Sequence, residues 1–137
     1  MIKSILNDAL NTHQLLVQDQ PLHQSIEQIA KACIAALKND CKIILCGNGG
    51  SFADAQHITA EFVGRFMKER KSLPAVTLGC NASSITAIGN DYSFDEIFSR
   101  ELSSIGNAGD VLIGITTSGN SSNVIRAIEV AKKKNIT

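Results

Sequence analysis

The stretch KIILCGNGGS, residues 42–51, decides how this chain folds. Lys42 to Cys46 form a short and almost continuous apolar run, which is typical of a strand buried on both faces of a parallel sheet. The glycine-rich segment 47–51 follows at once, and residues 52 to about 67 are compatible with a helix. The stretch therefore predicts a strand, a tight loop and a helix in direct succession.

The rest of the chain repeats this alternation. Two further apolar runs, residues 74–78 and 111–115, predict a second and a third strand. Apolar strands that alternate with helices predict an α/β fold in which helices cover both faces of a parallel sheet. Ser93 and Glu96 form a capping-box pattern, which predicts that a helix begins there. The other helices are expected at about residues 2–18, from Pro21 to Asn39, at 83–88 before Gly89, and from the end of the third strand to about Lys134.

The composition argues against several classes of function. The chain has 137 residues, enough for one domain, and 44% of them are hydrophobic and 19% charged. The formal net charge is zero, so no bulk charge attracts nucleic acid or an anionic membrane. No apolar run reaches membrane-spanning length, and the N-terminus MIKSILNDAL lacks the apolar core of a signal peptide. We therefore expect a cytoplasmic protein that has neither a nucleic acid nor a membrane as partner.

Two loops at the carboxyl ends of predicted strands carry the clearest signs of ligand binding. Three glycines in residues 47–50 let the backbone approach a ligand closely, and Ser51 stands at a helix N-terminus, where free N–H groups attract anions. An ordinary strand-to-helix turn is the alternative. The second loop, residues 116–123, has five hydroxyl side chains at another helix N-terminus, where capping alone would need one. Neutral hydroxyl donors of this kind suit a phosphate monoester.

His57 and Glu61 lie four residues apart on the helix after the first loop, so both side chains fall on one face, close to Asp54. The pair could share a metal ion, act as acid and base, or form a surface ion pair, and the spacing leaves these alternatives open. A carboxylate beside a bound ketose phosphate can remove a proton to form a cis-enediol, as the glutamate of triosephosphate isomerase does. Asn90 and Asp91, expected in a loop, could bind sugar hydroxyls or only form a turn.

Three blocks of sequence together resemble the phosphoheptose isomerases: GNGGSFADAQHITAEFVGRF (47–66), AIGNDYSFDEIFSR (87–100) and GDVLIGITTSGNSSNVIRAI (109–128). These enzymes of the sugar isomerase (SIS) domain family convert D-sedoheptulose 7-phosphate to D-glycero-D-manno-heptose 7-phosphate. The resemblance spans essentially the whole chain. It implies a three-layer αβα sandwich of the flavodoxin-like SIS type, as one domain with helices in residues 1–40 and the parallel core in 41–137. It also implies a homotetramer that serves heptose synthesis for lipopolysaccharide or other surface glycans.

The same resemblance implies roles for individual residues. Glu61 matches the catalytic acid/base, and His57 and Glu61 match ligands of a zinc ion. Asn90 and Asp91 would bind sugar hydroxyls, and the hydroxyl-rich loop would bind the phosphate. The complete set of expected substrate contacts is Asn48, Gly49, Gly50, Ser51, Glu61, Asn90, Asp91, Thr116, Thr117, Ser118 and Ser121. The family usually has Ser at position 116, where Thr keeps the hydroxyl.

The family's pattern continues past position 137 with further strands and a helix carrying an RIQExH-like motif. That helix supplies a Gln metal ligand and a His that acts as the second acid/base. The histidines of this chain are His13, His23 and His57, and the first two do not match the missing one. On this ground we expect the chain to be incomplete at its C-terminus and inactive as an isolated polypeptide.

The sequence leaves two alternatives to this function. One is a non-catalytic SIS module of the DnaA-associating type that binds sugar phosphates, in which the counterpart of Glu61 is not acidic and an Arg replaces the Ser of the TSGNS loop. Glu61 and Ser118 are both present here, which favours an enzyme. The other is a different SIS isomerase, such as an arabinose 5-phosphate isomerase, against which the His57 and Glu61 pair argues.

Overall fold

The computed structural model describes all residues from 1 to 137. The chain divides into two compact units, residues 1–32 and 33–137. No helix is both long enough and apolar enough to cross a membrane. In chain order the elements are α1 (Ile2–Gln18), α2 (Gln20–Lys38), β1 (Ile43–Gly47), α3 (Gly50–Val63), β2 (Ala75–Thr77), α4 (Ala82–Asp91), a 3-10 helix (Phe94–Glu96), α5 (Ile97–Ile105), β3 (Val111–Ile115) and α6 (Ser122–Lys133).

The first unit consists of α1 and most of α2, which confirms the two helices expected there. At the turn between them, the ring of His23 donates through Nε2 to the carbonyl oxygen of Leu16 at 2.8 Å. The carboxylate of Asp19 accepts a hydrogen bond from the N–H group of Leu22 at 2.9 Å. No residue of α1 is buried, so its apolar side chains are exposed in the single chain.

The sheet of the second unit has three parallel strands in the order β2-β1-β3. Ile43 pairs with both Ala75 and Val111, and Gly47 at the end of β1 pairs with Ile115. All five residues of β1 are buried, which explains why this central strand has a continuous apolar sequence. The chain passes from β1 to β2 on one side and then to β3 on the other. Ligands of such sheets bind where the strand order reverses in this way, outside the carboxyl ends of the strands.

Helices cover both faces of this sheet, so the prediction of a parallel α/β fold is confirmed. On one face, Ile44 and Cys46 belong to a buried cluster that includes Phe98 of α5 and residues of α6. On the other face, α3 packs against β1 and β2, and the hydroxyl of Thr77 donates to the carbonyl oxygen of Ala55 at 3.1 Å. Burial raises the pKa of the Cys46 thiol to about 12, so this cysteine stays protonated and serves as a packing residue.

The predicted end of α4 is wrong. The helix continues through Gly89 and ends at Asp91. Gly89 does not adopt the left-handed conformation by which glycine closes many helices. The start of the helix is capped by Asn81, whose side chain accepts hydrogen bonds from two N–H groups of the first turn. Asn90 and Asp91 therefore lie in the last turn of a helix and not in a loop.

The capping box predicted for Ser93 and Glu96 is also wrong. Ser93 precedes a single 3-10 turn, and its side chain makes no capping hydrogen bond. The carboxylate of Glu96 instead accepts from the hydroxyl of Ser99 at 2.6 Å and pairs with the guanidinium of Arg126. The hydrogen bond from Ser99, followed by the charge of Arg126, holds the pKa of Glu96 below its ordinary value. Glu96 thus connects the start of α5 to α6.

Candidate functional site

The first glycine-rich loop joins the end of β1 to the start of α3 and is crowded only at Gly47, whereas Gly49 and Gly50 have open space around them. A Cβ atom on Gly47 would lie 2.8 Å from the carbonyl oxygen of Ser51 and 2.9 Å from that of Ile115. Gly49 has a φ of 55°, in the left-handed region that favours glycine. The N–H groups of Gly50 and Ser51 make no hydrogen bond within the chain. The positive end of α3 is therefore available to an anion or a sugar oxygen.

Hydroxyl groups converge in the second loop, between β3 and α6. The hydroxyl oxygen of Thr116 lies 3.3 Å from that of Ser118 and 3.2 Å from that of Ser121. The N–H group of Gly119 donates to the Thr116 hydroxyl at 3.2 Å, which closes the loop around this cluster. The hydroxyl of Thr117 makes no hydrogen bond and lies outside the cluster. Since the loop has no basic side chain, hydroxyl and N–H donors alone would hold an anion there.

An amide pair joins the two loops. Asn48 donates through Nδ2 to Oδ1 of Asn123, and Asn123 donates through Nδ2 to Oδ1 of Asn48, each at 2.9 Å. The side chain of Asn48, expected to contact substrate, thus makes its hydrogen bonds inside the protein. Asn123 was not among the predicted site residues, because an Asn at a helix N-terminus is commonly a local capping residue and its partner is distant in sequence.

His57 and Glu61 lie together on the second half of α3, away from both loops. Nε2 of His57 is 3.7 Å from Oε1 of Glu61, and the two side chains are 76% and 33% exposed. The helix rises about 16 Å between Gly50 and Glu61, so a single chain does not bring this carboxylate beside the loops. The pair borders an apolar cavity of about 470 Å³, which is also lined by Ile58, Phe62, Phe66, Arg70 and Leu73.

A zinc ion takes four ligands from nitrogen, oxygen and sulfur donors. An imidazole and a carboxylate are both suitable donors, and His57 and Glu61 are close enough to share one ion. No group of three or more His, Cys, Asp or Glu side chains lies together in the chain. The pair can therefore supply two of the four zinc ligands, and the other two have to come from outside the pair.

Arg70 holds the end of α3, next to Glu61. Its guanidinium donates to four main-chain carbonyl oxygens: those of Glu61 at 2.5 Å, Phe62 at 2.9 Å, Gly64 at 3.2 Å and Lys71 at 2.9 Å. The carbonyl groups of Glu61, Phe62 and Gly64 have no partner further along the helix, because α3 ends at this point, whereas Lys71 lies beyond the helix. No sequence motif marks this role, so Arg70 was not predicted as part of the site.

Asn90 and Asp91 are exposed at the end of α4, and Nδ2 of Asn90 donates to Oδ1 of Asp91 at 2.9 Å. Neither side chain is hydrogen-bonded to the two loops. A small cavity of about 190 Å³ lies next to the first loop and is lined by Gly47, Asn48, Gly49, Phe52, Ile85, Phe94, Ile97 and Phe98. The structure thus brings together the two loops. Glu61 lies further along α3, and the Asn90–Asp91 pair makes no hydrogen bond to either loop.

Comparisons with known proteins agree with this architecture. Residues 9–137 match the family model described as the SIS domain. The chain is 49% identical over 136 residues to the phosphoheptose isomerase of Sulfurimonas denitrificans, covering 99% of this chain and 70% of that protein. It is 49% identical over 135 residues to the phosphoheptose isomerase of Aneurinibacillus thermoaerophilus, with 98% and 68% covered.

Two solved structures are also similar to the chain. The phosphoheptose isomerase GmhA from Neisseria gonorrhoeae superimposes with a TM-score of 0.89 at 42% identity, over 98% of this chain and 69% of that one. A phosphoheptose isomerase from Francisella tularensis gives a TM-score of 0.92 at 37% identity, over 99% and 70%. The chain spans 68–70% of the length of these four proteins.

Proposed function

This chain belongs to the SIS domain family and, within it, to the phosphoheptose isomerases, and from this premise we propose that it interconverts D-sedoheptulose 7-phosphate and D-glycero-D-manno-heptose 7-phosphate. The observation that carries the proposal is the placement of two donor-rich loops at the carboxyl ends of the adjacent strands β1 and β3. One loop offers a hydroxyl cluster for the phosphate, and the other offers free N–H groups for the sugar. The reaction belongs to cytoplasmic heptose synthesis for lipopolysaccharide or other surface glycans.

Glu61, supplied by a second copy of the chain, is the proposed proton carrier, because within one chain it lies about 16 Å along α3 from the first loop. Its carboxylate takes a proton from C1 of the ketose, the electrons of that C–H bond form the C1–C2 double bond, and the C2 oxygen takes up a proton. The resulting cis-enediol becomes the aldose when a proton returns to C2 and the C1 oxygen loses its proton. Atoms and electrons balance without a co-reactant. Binding of the phosphate and sugar by the two loops fixes the position of the reacting carbons.

We also propose that His57 and Glu61 contribute two ligands to a zinc ion. Bound zinc would supply Lewis-acid polarisation of substrate oxygen atoms. Calorimetric titration with zinc tests this role without an activity assay. His57→Ala should weaken zinc binding by about tenfold or more, whereas His13→Ala on α1 should leave it unchanged. Equal zinc affinity in all three proteins would remove the metal role from His57.

Substitution of Glu61 by Gln tests the proposed function. In a protein that also carries the family's RIQExH-like segment, we expect turnover of sedoheptulose 7-phosphate to fall by about 10²- to 10⁴-fold, because Gln keeps the size of the side chain but cannot accept the proton. The dissociation constant for the sugar phosphate should change by less than about threefold, since the loops make most of the contacts. Glu27→Gln, on the exposed surface of α2, is the matched control and should have wild-type turnover.

Three results would contradict the proposal. Unchanged turnover in Glu61→Gln would exclude this residue as the base. Tight binding of the sugar phosphate without turnover, in a protein that also carries the family's RIQExH-like segment, would support the non-catalytic module. Faster turnover of a five-carbon than of a seven-carbon sugar phosphate would indicate a different SIS isomerase.

A further inference from the structure

We infer that the amide pair of Asn48 and Asn123 is a positioning device that sets the spacing of the two ligand-binding loops. This inference rests on the proposed function for the identity of the ligand, but its geometry is independent of that ligand. Asn48 follows β1 directly, and Asn123 is the second residue of α6. The pair therefore bridges the two loops at the place where the strand order reverses.

The orientation of the pair is fixed by a third hydrogen bond. The N–H group of Val124 donates to Oδ1 of Asn123 at 2.9 Å, so this oxygen must face the start of α6. Nδ2 of Asn123 is then directed at Oδ1 of Asn48, and Nδ2 of Asn48 returns a bond to Oδ1 of Asn123. Each amide thus has one arrangement that satisfies its partner. Any rotation of either side chain would place two donors or two acceptors against each other.

Burial makes this arrangement costly to disrupt. Asn123 is only 2% exposed, and Asn48 is half-buried. A buried amide that loses its partner has no water to replace the bond, so removing one member penalises the other. The two reciprocal hydrogen bonds therefore hold the loops together. Local capping of a helix by Asn123 would not require this second residue.

The pair also determines which N–H groups face the ligand. Because the side chain of Asn123 accepts the hydrogen bond from the N–H group of Val124, the unpaired N–H groups at the start of α6 are those of Ser122 and Asn123. They lie directly after Ser121, whose hydroxyl belongs to the cluster around Thr116. On the other side, the free N–H groups of α3 follow Asn48 within the first loop. A ligand that contacts both helix N-termini must therefore match the separation that the pair imposes.

A double-mutant cycle on the full chain tests this role. The proteins are wild type, Asn48→Ala, Asn123→Ala, the double variant, and Asn107→Ala, whose exposed side chain makes no hydrogen bond. We expect each single variant at the pair to bind sedoheptulose 7-phosphate about tenfold more weakly by calorimetry. The double variant should bind no more weakly than either single one, because the first substitution already breaks the link. Asn107→Ala should bind like wild type.

Inorganic phosphate separates this inference from the proposed function. In wild type, we expect phosphate to shift the NMR amide signals of residues 118–122, and through the pair also those of Gly49, Gly50 and Ser51. In Asn48→Ala and Asn123→Ala the second loop should still respond, while the shifts in the first loop should fall at least about threefold. A chain that binds phosphate but not sedoheptulose 7-phosphate would refute the proposed substrate, and this titration would still decide the role of the pair.

The inference is overturned if the losses of the two single variants multiply in the double variant, or if the first loop responds equally with and without the pair. A merely structural pair would lower the melting temperature without changing the ratio of sugar-phosphate to phosphate affinity. If Asn123→Ala fails to fold, Asn48→Ala decides the question alone, because Asn48 is only half-buried and its loss leaves the hydrogen bond from the Val124 N–H group to Asn123 intact.

Discussion

Asp110 is a buried carboxylate directly before β3, only 1% exposed. It accepts hydrogen bonds from the main-chain N–H of Lys42 at 2.9 Å, from Nζ of Lys42 at 2.6 Å and from the N–H of Asn107 at 2.8 Å. Burial alone would raise the pKa of this carboxyl, but the bonds from Lys42 and Asn107 hold it below its ordinary value. A pKa that is lower in the folded than in the unfolded chain means that the ionised carboxylate stabilises the fold.

This linkage predicts a specific pH dependence of stability. The contribution of Asp110 is complete above the unfolded pKa of about 3.9, and it is lost as the pH falls through the lower folded pKa. Asp110→Asn should reduce the free energy of unfolding at neutral pH by about 2–3 kcal/mol, because Lys42 loses its charged partner. Urea unfolding from about pH 2 to pH 7 should show this difference shrinking below about pH 4.

The matched control for this prediction is Asp8→Asn, on the exposed surface of α1. It should differ from wild type by less than about 0.5 kcal/mol at every pH. A difference between wild type and Asp110→Asn that stays constant down to the lowest pH would show that the carboxylate is not ionised against its partners.

Single residues of the site were predictable where their role is local. The glycines of residues 47–50 indicated a close backbone approach. Gly47 has tight contacts that leave no room for a Cβ atom, and Gly49 has a positive φ, so each position requires glycine. The closest approach at Gly47 is to the main chain of Ser51 and Ile115. The role of Asn123 was not predictable, because its partner is 75 residues away.

At the scale of elements, the end of α3 depends on one side chain from outside the helix. Arg70 supplies donors to three carbonyl oxygens at the end of α3, those of Glu61, Phe62 and Gly64, which the helix itself leaves unpaired. Arg70→Ala should lower the free energy of unfolding by about 2 kcal/mol, because hydrogen bonds from a charged group are lost at a partly buried helix end. Arg70→Lys should recover only part of this loss, since a single ammonium group cannot reach the same set of acceptors.

Arg65→Ala is the control for the prediction at Arg70. Arg65 makes one exposed ion pair, at 3.5 Å to Glu69, and such pairs contribute little to stability. Chemical denaturation of the three variants should therefore separate Arg70→Ala from the others. A free energy of unfolding in Arg70→Ala equal to that in Arg65→Ala would contradict the capping role.

The strands were predicted better than the ends of the helices. Residues 111–115 form β3 as expected, because a turn at Gly109 precedes this apolar run and hydroxyl residues follow it. The sequence predicts the end of α4 too early, because a glycine such as Gly89 at the end of a helical stretch is a common stop signal. The end of α3 was predicted too late, near Met67, because the bonds from Arg70 come from outside the periodic pattern. Apolar periodicity reports burial, whereas helix ends are decided by individual hydrogen bonds.

At the scale of the molecule, alternating strands and helices predicted the parallel sheet, but not which strand lies in the centre. The order β2-β1-β3 places the two loops side by side and leaves Glu61 about 16 Å along α3 from the first of them. A site that needs both loops and this carboxylate is therefore incomplete within one chain. We propose that a second copy supplies the carboxylate, in the homotetramer implied by the resemblance.

The exposed apolar side chains of α1, among them Ile5 at 61%, Leu6 at 64% and Leu10 at 57%, support assembly through this helix. Sedimentation velocity should give a tetramer for wild type and a smaller species for Leu10→Glu, because a charge on this surface opposes burial. Asn11→Glu, on the same helix, serves as the control for added charge. A monomeric wild type would contradict the assembly.

The central claim is that one sugar phosphate binds across the loops that follow β1 and β3. A crystal structure of the chain with sedoheptulose 7-phosphate tests it most directly. The account predicts the phosphate within hydrogen-bond distance of the Thr116, Ser118 and Ser121 hydroxyls, and sugar oxygen atoms at the N–H groups of Gly50 and Ser51. A phosphate bound elsewhere, or a sugar that does not reach the first loop, would contradict it.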